Sequence, residues 1–437
     1  MSFEEAESYL NGLGIDAMKS MKPALHRIQA LCEALNHPEL SIPAIHVTGT
    51  NGKTSTARIA TSLLAATGLS VGTFTSPHLQ KVTERISLSG VPIEDEVFGE
   101  MFAHLKPYIT LVEARLGENL SYFEVMTALF YLWAAEAPVD ALVVEVGLGG
   151  RWDATNVVQA PVAVITNIGL DHTELLGRDR PTIAGEKAGI IKPGAMVVTG
   201  ERSPDALEVI EREAEAFEAS LIRLDPDLQI LENKVAFGGR YLTLKTSPGL
   251  FEGVFLPLHG AHQGMNAALA LEAVGAFIPA HDLAEEVVVQ GFAEVTVPGR
   301  LETVKQASAS SAPVILDVAH NPEGVSAMVT SLIEAFAFEK IFFVVGILAD
   351  KDHVGILTEL ARVPSEIVLA EPVSARARSK EELAAVAQEI GLEAQVASSV
   401  PAAVVSAMQS AGPGDLVCVT GSHYVVGEAR THLAGGG

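Results

Sequence analysis

The chain reads as an α/β protein in two parts. The first is a mostly parallel sheet domain with a phosphate loop and a small antiparallel appendage; the second is a Rossmann-like α/β domain. Three observations predict this. Short apolar runs alternate with helical stretches along most of the chain, the pattern of strands covered by helices. Polar residues gather where those runs end, as they do at the carboxyl ends of open α/β sheets. From about Leu221 to Leu258 the texture changes to short alternating segments punctuated by "FGGRY" and "TSPG".

The elements follow in order. Ile45 to Thr48 is a short strand, and Lys53 to Thr67 has helical spacing of Ala57, Ala60, Leu63 and Leu64, with Gly68 as its stop. Val71 to Thr75 is the next strand, followed by "SPHL". A helix over about Phe123 to Glu136 leads through "APVD" into a strand from Ala141 to Val146, and Val162 to Thr166 is another. After the antiparallel stretch comes the helix "QGMNAALALEAVGAF", and "VPGR" at 297–300 reads as a hinge. Beyond it, Val314–Leu316, Ile341–Val345, Ile367–Leu369 and Leu416–Thr420 read as strands of a second domain. No sequence repeat relates the halves, so the expected division is 1–296 and 297–437.

Composition narrows the function classes. At 437 residues and 48% hydrophobic, the chain can bury a large core. A formal charge of −25 excludes an extended nucleic-acid surface, which needs clustered Lys and Arg. Cys32 and Cys418 lie far apart and fit a reducing compartment. The acidic "MSFEEAESYL" lacks the layout of a signal peptide, and no apolar run is long enough to span a bilayer, so a cytoplasmic protein is expected.

The stretch "IHVTGTNGKTST" poses the central question. The common pattern G-x-x-x-x-G-K-[ST] requires glycine at position 47, where Val47 stands. A strand, a glycine turn, a lysine and a helix start nevertheless aim backbone N–H groups at phosphate. Gly49, Thr50, Asn51, Gly52, Lys53, Thr54 and Ser55 are therefore read as the nucleotide loop, with Lys53 on the terminal phosphates and Thr54 able to face Mg²⁺.

Other strand ends add candidates. Glu145 is an acid inside the apolar "LVVEVG", and a buried carboxylate needs a partner such as Mg²⁺. "GLGG" is not a dinucleotide motif, because Trp152 occupies the third glycine's place. His172 in "GLDHTELLG" admits three roles: metal ligand, base, or polar loop residue. Lys187 in "AGEKAGIIKPG" reads, on sequence alone, as a solvated partner of Glu186. In the second half, Asp317 and His320 of "VILDVAHNPEGV" and Ser422 of "VTGSHYVVGEA" lie at strand ends, and Arg300 lies beside the hinge.

Taken together, these segments resemble the folylpolyglutamate synthase and dihydrofolate synthase branch of the Mur ligase superfamily. The resemblance rests on "HVTGTNGKTST" (46–56), "SPHL" (76–79), "FEVMTALF" (123–130), "EVGLGGRWDATN" (145–156), "TNIGLDHTELLG" (166–177), "EKAGIIKPG" (186–194), "PGRLE" (298–302) and "LDVAHNP" (316–322), in family order. The family's loop is the short T-G-T-N-G-K-[ST], which accounts for Val47. The resemblance implies an ATP-dependent amide ligase that phosphorylates a folate-type carboxylate and then joins L-glutamate to it. It implies Mg²⁺ at Ser76, Glu145 and His172, and a carbamylated Lys187 supporting a second Mg²⁺. It further implies ATP contacts from Asn266, Arg300 and Asp317. His320 and Ser422 would lie near the transferred phosphate or the glutamate. Phe123 and Asp153, with Arg151 and Ala154 in the same segment, would match the pterin region of enzymes that take dihydropteroate. With only about 45 residues before the loop, too few for a nucleotide-sugar domain, a cell-wall substrate is disfavoured.

A P-loop switch protein and a dinucleotide-dependent oxidoreductase are the competing classes. The first has no use for a second domain with polar strand ends, and the second is weakened by Trp152. Both synthase activities are expected in one monomer acting on small molecules (dihydropteroate or folate, glutamate and ATP). Trp152 stands where the family usually has a smaller apolar residue.

Overall fold

The computed structural model describes residues 1–14, 24–278, 283–308 and 311–435. The first sheet contains β1 (Ala44–Thr48), β2 (Val71–Phe74), β3 (Ile86–Leu88), β4 (Val91–Pro92), β5 (Ala141–Glu145), β6 (Val162–Ile165), β7 (Met196–Thr199) and β8 (Ser220–Arg223). Their order is β4-β3-β2-β5-β1-β6-β7-β8, with only β3 and β4 pairing antiparallel. β1 and β5 are buried at every position, as strands covered on both faces must be.

The antiparallel appendage is narrower than the sequence texture suggested. It consists of β9 (Gln229–Ala236), β10 (Gly239–Thr246) and β11 (Gly249–Leu256), whereas Leu221 belongs to β8, parallel to β7. β8 is an edge strand with no fully buried residue, so its pattern resembles a hairpin arm. Leu242, Leu244, Val254 and Leu256 turn one face of the appendage onto the core formed by the helix Lys53–Ala66 and the helix His262–Phe277.

The second sheet is built from β12 (Glu302–Lys305), β13 (Val314–Leu316), β14 (Ile341–Val345), β15 (Ser365–Leu369), β16 (Ala394–Val396) and β17 (Leu416–Thr420). The order is β12-β13-β17-β14-β15-β16, parallel except for β12. Two apolar layers flank it, one including Phe343 and Leu357, the other Val404 and Val425.

Register places the site. β1 lies between β5 and β6, with Val47 opposite Glu145 and Thr48 opposite Ile165. The loops after these three strands are therefore neighbours at one sheet edge. The chain leaves β1 in one direction along the sheet and returns to continue in the other, which opens a crevice beside β1. The second domain closes over that crevice. Asn321 Nδ2 lies 3.3 Å from Asn51 Oδ1, Lys351 Nζ donates to Asp171 Oδ1 at 2.8 Å, and Arg240 Nη1 donates to Glu334 Oε2 at 3.2 Å. Leu79 packs against the second domain's core.

Candidate functional site

The glycine loop is a tight turn held from below. Gly49 has φ 150 and Gly52 φ 84, the latter in a region that strongly favours glycine. A Cβ at Gly49 would fall 1.8 Å from Thr166 Oγ1, and one at Gly52 would fall 2.4 Å from Asn266 Oδ1. Glycine is therefore required twice, by conformation and by close approach. Thr166 Oγ1 donates to Asn51 O at 2.6 Å, Asn51 N donates to Asn167 Oδ1 at 2.9 Å, and Gly169 N donates to Thr50 Oγ1 at 2.8 Å. The loop after β6 thus fixes the loop after β1. Gly52 caps the 14-residue helix Lys53–Ala66 without a side-chain acceptor. Its first-turn N–H groups and positive helix end are the elements an anion site uses. Asn266 is buried and donates to Gln263 Oε1 at 2.9 Å, while its Oδ1 has no partner.

Two ammonium groups converge on this loop. Lys53 Nζ donates to Gly49 O at 3.0 Å and Thr50 O at 3.1 Å, and Lys187 Nζ donates to Gly49 O at 2.8 Å. Burial, and secondarily the charge of Lys53, lowers Lys187 to about 7. The solvated Glu-Lys pair that the sequence allowed is not what forms, because Lys187 is only 4% exposed and points at the phosphate loop. Desolvation lowers Lys53 as well, opposed by Glu145 and Asp171.

Glu145 is 1% exposed. Its Oε1 accepts from Thr54 Oγ1 at 2.8 Å and its Oε2 from Ser76 N at 3.1 Å. Desolvation raises its pKa, while Lys53 and the two donors oppose the rise. Glu145, Thr54 and Ser76 are therefore one cluster. His172 belongs to another, at a backbone φ of 49. Its Nε2 lies 3.5 Å from Lys351 Nζ, which also holds Asp171. His320 Nε2 is 3.8 Å from Asp171 Oδ2, and the His320 and His423 rings are 5.5 Å apart. Burial first, and the Lys351 charge second, lower both His172 and His320 to about 4, so both imidazoles are neutral at ordinary pH. No contact joins His172 to Glu145. Among the described residues, no group of three or more His, Cys, Asp or Glu side chains could hold a metal ion.

From the second domain, Asp317 accepts from Leu301 N and Ala319 N, both at 2.9 Å, at the end of β13. Burial raises its pKa, and the neighbouring Arg300 opposes this. Arg300, Thr54, Arg58, His78, Glu84 and His423 line a cavity between the two sheets. Ser422 is buried and its Oγ accepts from Val425 N at 3.2 Å, capping the helix His423–Gly435.

The segment 147–156 forms a third cluster. The Phe123 ring lies so close to Gly147 that a Cβ there would fall 2.5 Å from Phe123 Cζ. Asp153 is 4% exposed and Ala154 is also buried. The Asp153 carboxylate accepts from Leu148 N at 2.9 Å, Thr155 N at 3.0 Å and Thr155 Oγ1 at 2.5 Å. Arg151 donates instead to Glu213 Oε1 at 3.1 Å and Gly185 O at 3.2 Å, while Trp152 is 49% exposed.

Sequence reasoning missed three basic groups here. Lys351 follows β14 in "GILADKDH", a strand end open to the same criterion that found Asp317. Arg58 lies one helical turn beyond Thr54 and is largely buried, with its Nε unpaired. Arg85 is buried, donates to His78 Nδ1 at 2.9 Å and lies 5.2 Å from the Tyr122 ring centre.

Comparison with known proteins agrees with this geometry. Residues 47–274 match the Mur ligase middle domain, and residues 299–423 match the Mur ligase glutamate ligase domain. The chain is 43% identical over 383 residues to the dihydrofolate synthase/folylpolyglutamate synthase of Mycobacterium tuberculosis, covering 84% of this chain and 78% of that protein. It is 36% identical to the Bacillus subtilis protein of the same name, over 99% of both. The solved M. tuberculosis folylpolyglutamate synthase complexed with ADP superposes with a TM-score of 0.92 at 39% identity, over 99% of this chain and 98% of that one. Escherichia coli FolC in complex with DHPP and ADP superposes with a TM-score of 0.87 at 31% identity, over 98% of both. The chain therefore belongs to the dihydrofolate synthase/folylpolyglutamate synthase branch of the Mur ligase family.

Proposed function

We propose that this chain is an ATP-dependent ligase that adds L-glutamate to dihydropteroate and to folates through an acyl phosphate. The observation that carries the reading is the loop Gly49–Ser55, with Lys53 and Lys187 on its carbonyls and Arg300, which lines one cavity with Thr54, beside Asp317 at the end of β13. ATP lies with its phosphates on this loop and Lys53 at the terminal one. Asn266, with its free Oδ1 beside Gly52, and the Arg300 and Asp317 pair contact the rest of the nucleotide.

The substrate carboxylate attacks the terminal phosphorus and ADP leaves. The glutamate amine then attacks the acyl carbon, loses a proton, and phosphate departs. The protein holds the three reactants together, screens phosphate charge and keeps water from the acyl phosphate. His320 and Ser422, from the second domain, flank the transferred phosphate or the glutamate.

The residues fit Mg²⁺. Glu145 is a buried acid that forms no ion pair among the described residues, beside the hydroxyl of Thr54 and next to Ser76. Ser76 and Glu145 would hold the ion, with a neutral His172 joining them only if it leaves the Lys351–Asp171 cluster, and the ion would supply screening of phosphate charge. Lys187, lowered to about 7, has a large neutral fraction at physiological pH, the form that adds CO₂ to become a carbamate. That carbamate would serve a second Mg²⁺. Phe123 stacks on the pterin, the remaining lone pair of Asp153 accepts from its N–H edge, and Ala154 lines the same wall. Arg151 joins them only if it leaves Glu213. We place the domain boundary at 297, and the ligase acts as a cytoplasmic monomer on small molecules, without nucleic acid or membrane.

An ADP-release assay comparing dihydropteroate, tetrahydrofolate and a murein precursor, each with glutamate, tests the reading. Stimulation by the first two is expected. Turnover with the murein precursor alone overturns it.

A further inference from the structure

Beneath the 147–156 segment lies a buried polar chain that the ligase reaction does not itself require. His46, in the middle of β1, is 0% exposed, and its Nε2 lies 2.8 Å from Thr155 Oγ1. The Thr155 hydroxyl in turn donates to Asp153 Oδ1 at 2.5 Å. Thr155 O also accepts from Tyr131 OH at 2.9 Å, and Tyr131 lies on the helix Tyr122–Glu136 that carries Phe123. Thr155 is thus a hub joining the strand that launches the phosphate loop, the acid at 153 and the helix of Phe123.

The direction of the chain follows from donor counting. Burial raises the Asp153 pKa, and the Thr155 hydroxyl with the backbone N–H groups of Leu148, Thr155 and Gly147 opposes the rise by favouring the carboxylate. A hydroxyl has one proton, so Thr155 must receive its second bond from His46. His46 therefore carries its proton on Nε2, and its Nδ1 is left without a partner. A buried unpaired imidazole nitrogen costs stability. The β1 neighbours Ile45 and Val47 turn the other way into an apolar core, and a hydrophobic residue at 46 would avoid that cost.

We propose that His46 and Thr155 are positioning residues for substrate recognition, orienting the Asp153 carboxylate so that one lone pair is presented to the N–H edge of a bicyclic heteroaromatic acid. This rests on the substrate-binding reading of Asp153. Thr155 fixes Oδ1 by hydroxyl and backbone together, and Leu148 N fixes Oδ2. With Gly147 N also beside the acid, these donors fix the carboxylate's orientation and the direction left for a ligand. His46 holds the Thr155 hydroxyl in the rotamer that donates to the acid. The same hub restrains Phe123's helix, so stacking face and hydrogen-bonding edge keep a constant separation.

The test is steady-state ADP release, with KM and kcat measured separately for dihydropteroate, ATP and glutamate. Thr155→Val, nearly isosteric, should raise the dihydropteroate KM at least tenfold, with kcat within threefold and the ATP KM within twofold. Thr155→Ser should restore the KM to within threefold. His46→Leu should raise the same KM at least fivefold, and His46→Gln, which keeps an N–H donor, should recover most of it. Should Thr155→Val not fold, the His46 pair and Thr155→Ser carry the same comparison. Asp153→Ala separates the two levels of inference. An unchanged dihydropteroate KM in Asp153→Ala overturns the substrate role of Asp153. A raised KM there, with wild-type KM in Thr155→Val and His46→Leu, overturns the positioning role alone. Equal losses in the KM for ATP and for dihydropteroate would mean a general structural defect and would also overturn it.

Discussion

Gly52 and Gly68 flank the helix Lys53–Ala66, and they offer a controlled test of the phosphate loop. Both sit at positive φ, 84 and 92 respectively. An L-residue in the left-handed region costs about 1–2 kcal/mol. The gain from stiffening the unfolded chain is shared by both alanine variants and cancels between them. At Gly68 nothing lies within 4 Å of an added Cβ, so conformational strain is the whole cost. At Gly52 the Cβ would fall 2.4 Å from Asn266 Oδ1, and the amide must move. Asn266 is anchored through Nδ2 to Gln263 Oε1 at 2.9 Å, and disturbing that buried bond adds about 1–3 kcal/mol. Gly52→Ala should therefore cost about twice as much as Gly68→Ala. At roughly 2–4 °C per kcal/mol for a unit of 150–250 residues, scanning calorimetry resolves the difference in the first unfolding transition. ATP binding by titration calorimetry should weaken about tenfold for Gly52→Ala, equivalent to about 1.4 kcal/mol, and less than twofold for Gly68→Ala. Matching transition temperatures and matching ATP affinities in the two variants would refute the claim that the Gly52–Asn266 approach shapes the nucleotide site.

Further outcomes follow from the same geometry. Lys53→Ala should lower ADP release by about 10²–10³-fold, the scale of one lost charge-stabilising donor, without unfolding the protein. Full ligation by that variant would remove the loop from the mechanism. Lys187, lowered to about 7 against roughly 10.4 in the unfolded chain, binds fewer protons when folded across that window. Its burial penalty is full below pH 7 and is relieved as pH rises, so Lys187→Met should flatten the rise in stability. Bicarbonate should likewise stimulate wild-type turnover more at pH 8 than at pH 6, and a flat response would argue against a carbamate. Lys351→Met should let His172 and His320 rise from about 4, read by NMR titration of labelled histidines, and unchanged values would deny the ammonium its role. Phe130→Ala, at a fully buried ring stacked 5.2 Å from Phe74, should cost about 3–5 kcal/mol in chemical denaturation, and a cost under 1 would contradict the packing.

What was legible in the sequence was local or charged against its surroundings. Strand, glycine turn, lysine and helix follow each other within 23 residues, so the loop could be read without tertiary information. Glu145 stood out because an acid in a buried strand demands an explanation. Lys351 did not, because its meaning depends on Asp171, 180 positions away. The helix Asp95–Leu116 was hidden by Pro107 inside it, a residue that normally ends a helix. Asp153 could be named as a hydrogen-bond acceptor, but its three donors come from a loop whose path no periodicity reports. His46 looked like one more residue of a core strand, and its role appears only when Thr155 is brought beneath it.

The way the two domains meet carries a kinetic consequence. Apart from Leu79, the contacts named across the junction are polar: Lys351 with Asp171, Arg240 with Glu334, and Asn321 with Asn51. The more exposed Arg180–Glu323 pair, at 3.7 Å, adds another. Such bonds trade readily for water, unlike an oily seam, so the junction can part and re-form with each turnover. The outer pair weakens once ionic strength brings the screening length to about 8 Å, while the sheltered Lys351–Asp171 pair resists. Added salt should then act as a throttle on product escape, quickening the parting of the domains before it disturbs the chemistry between them.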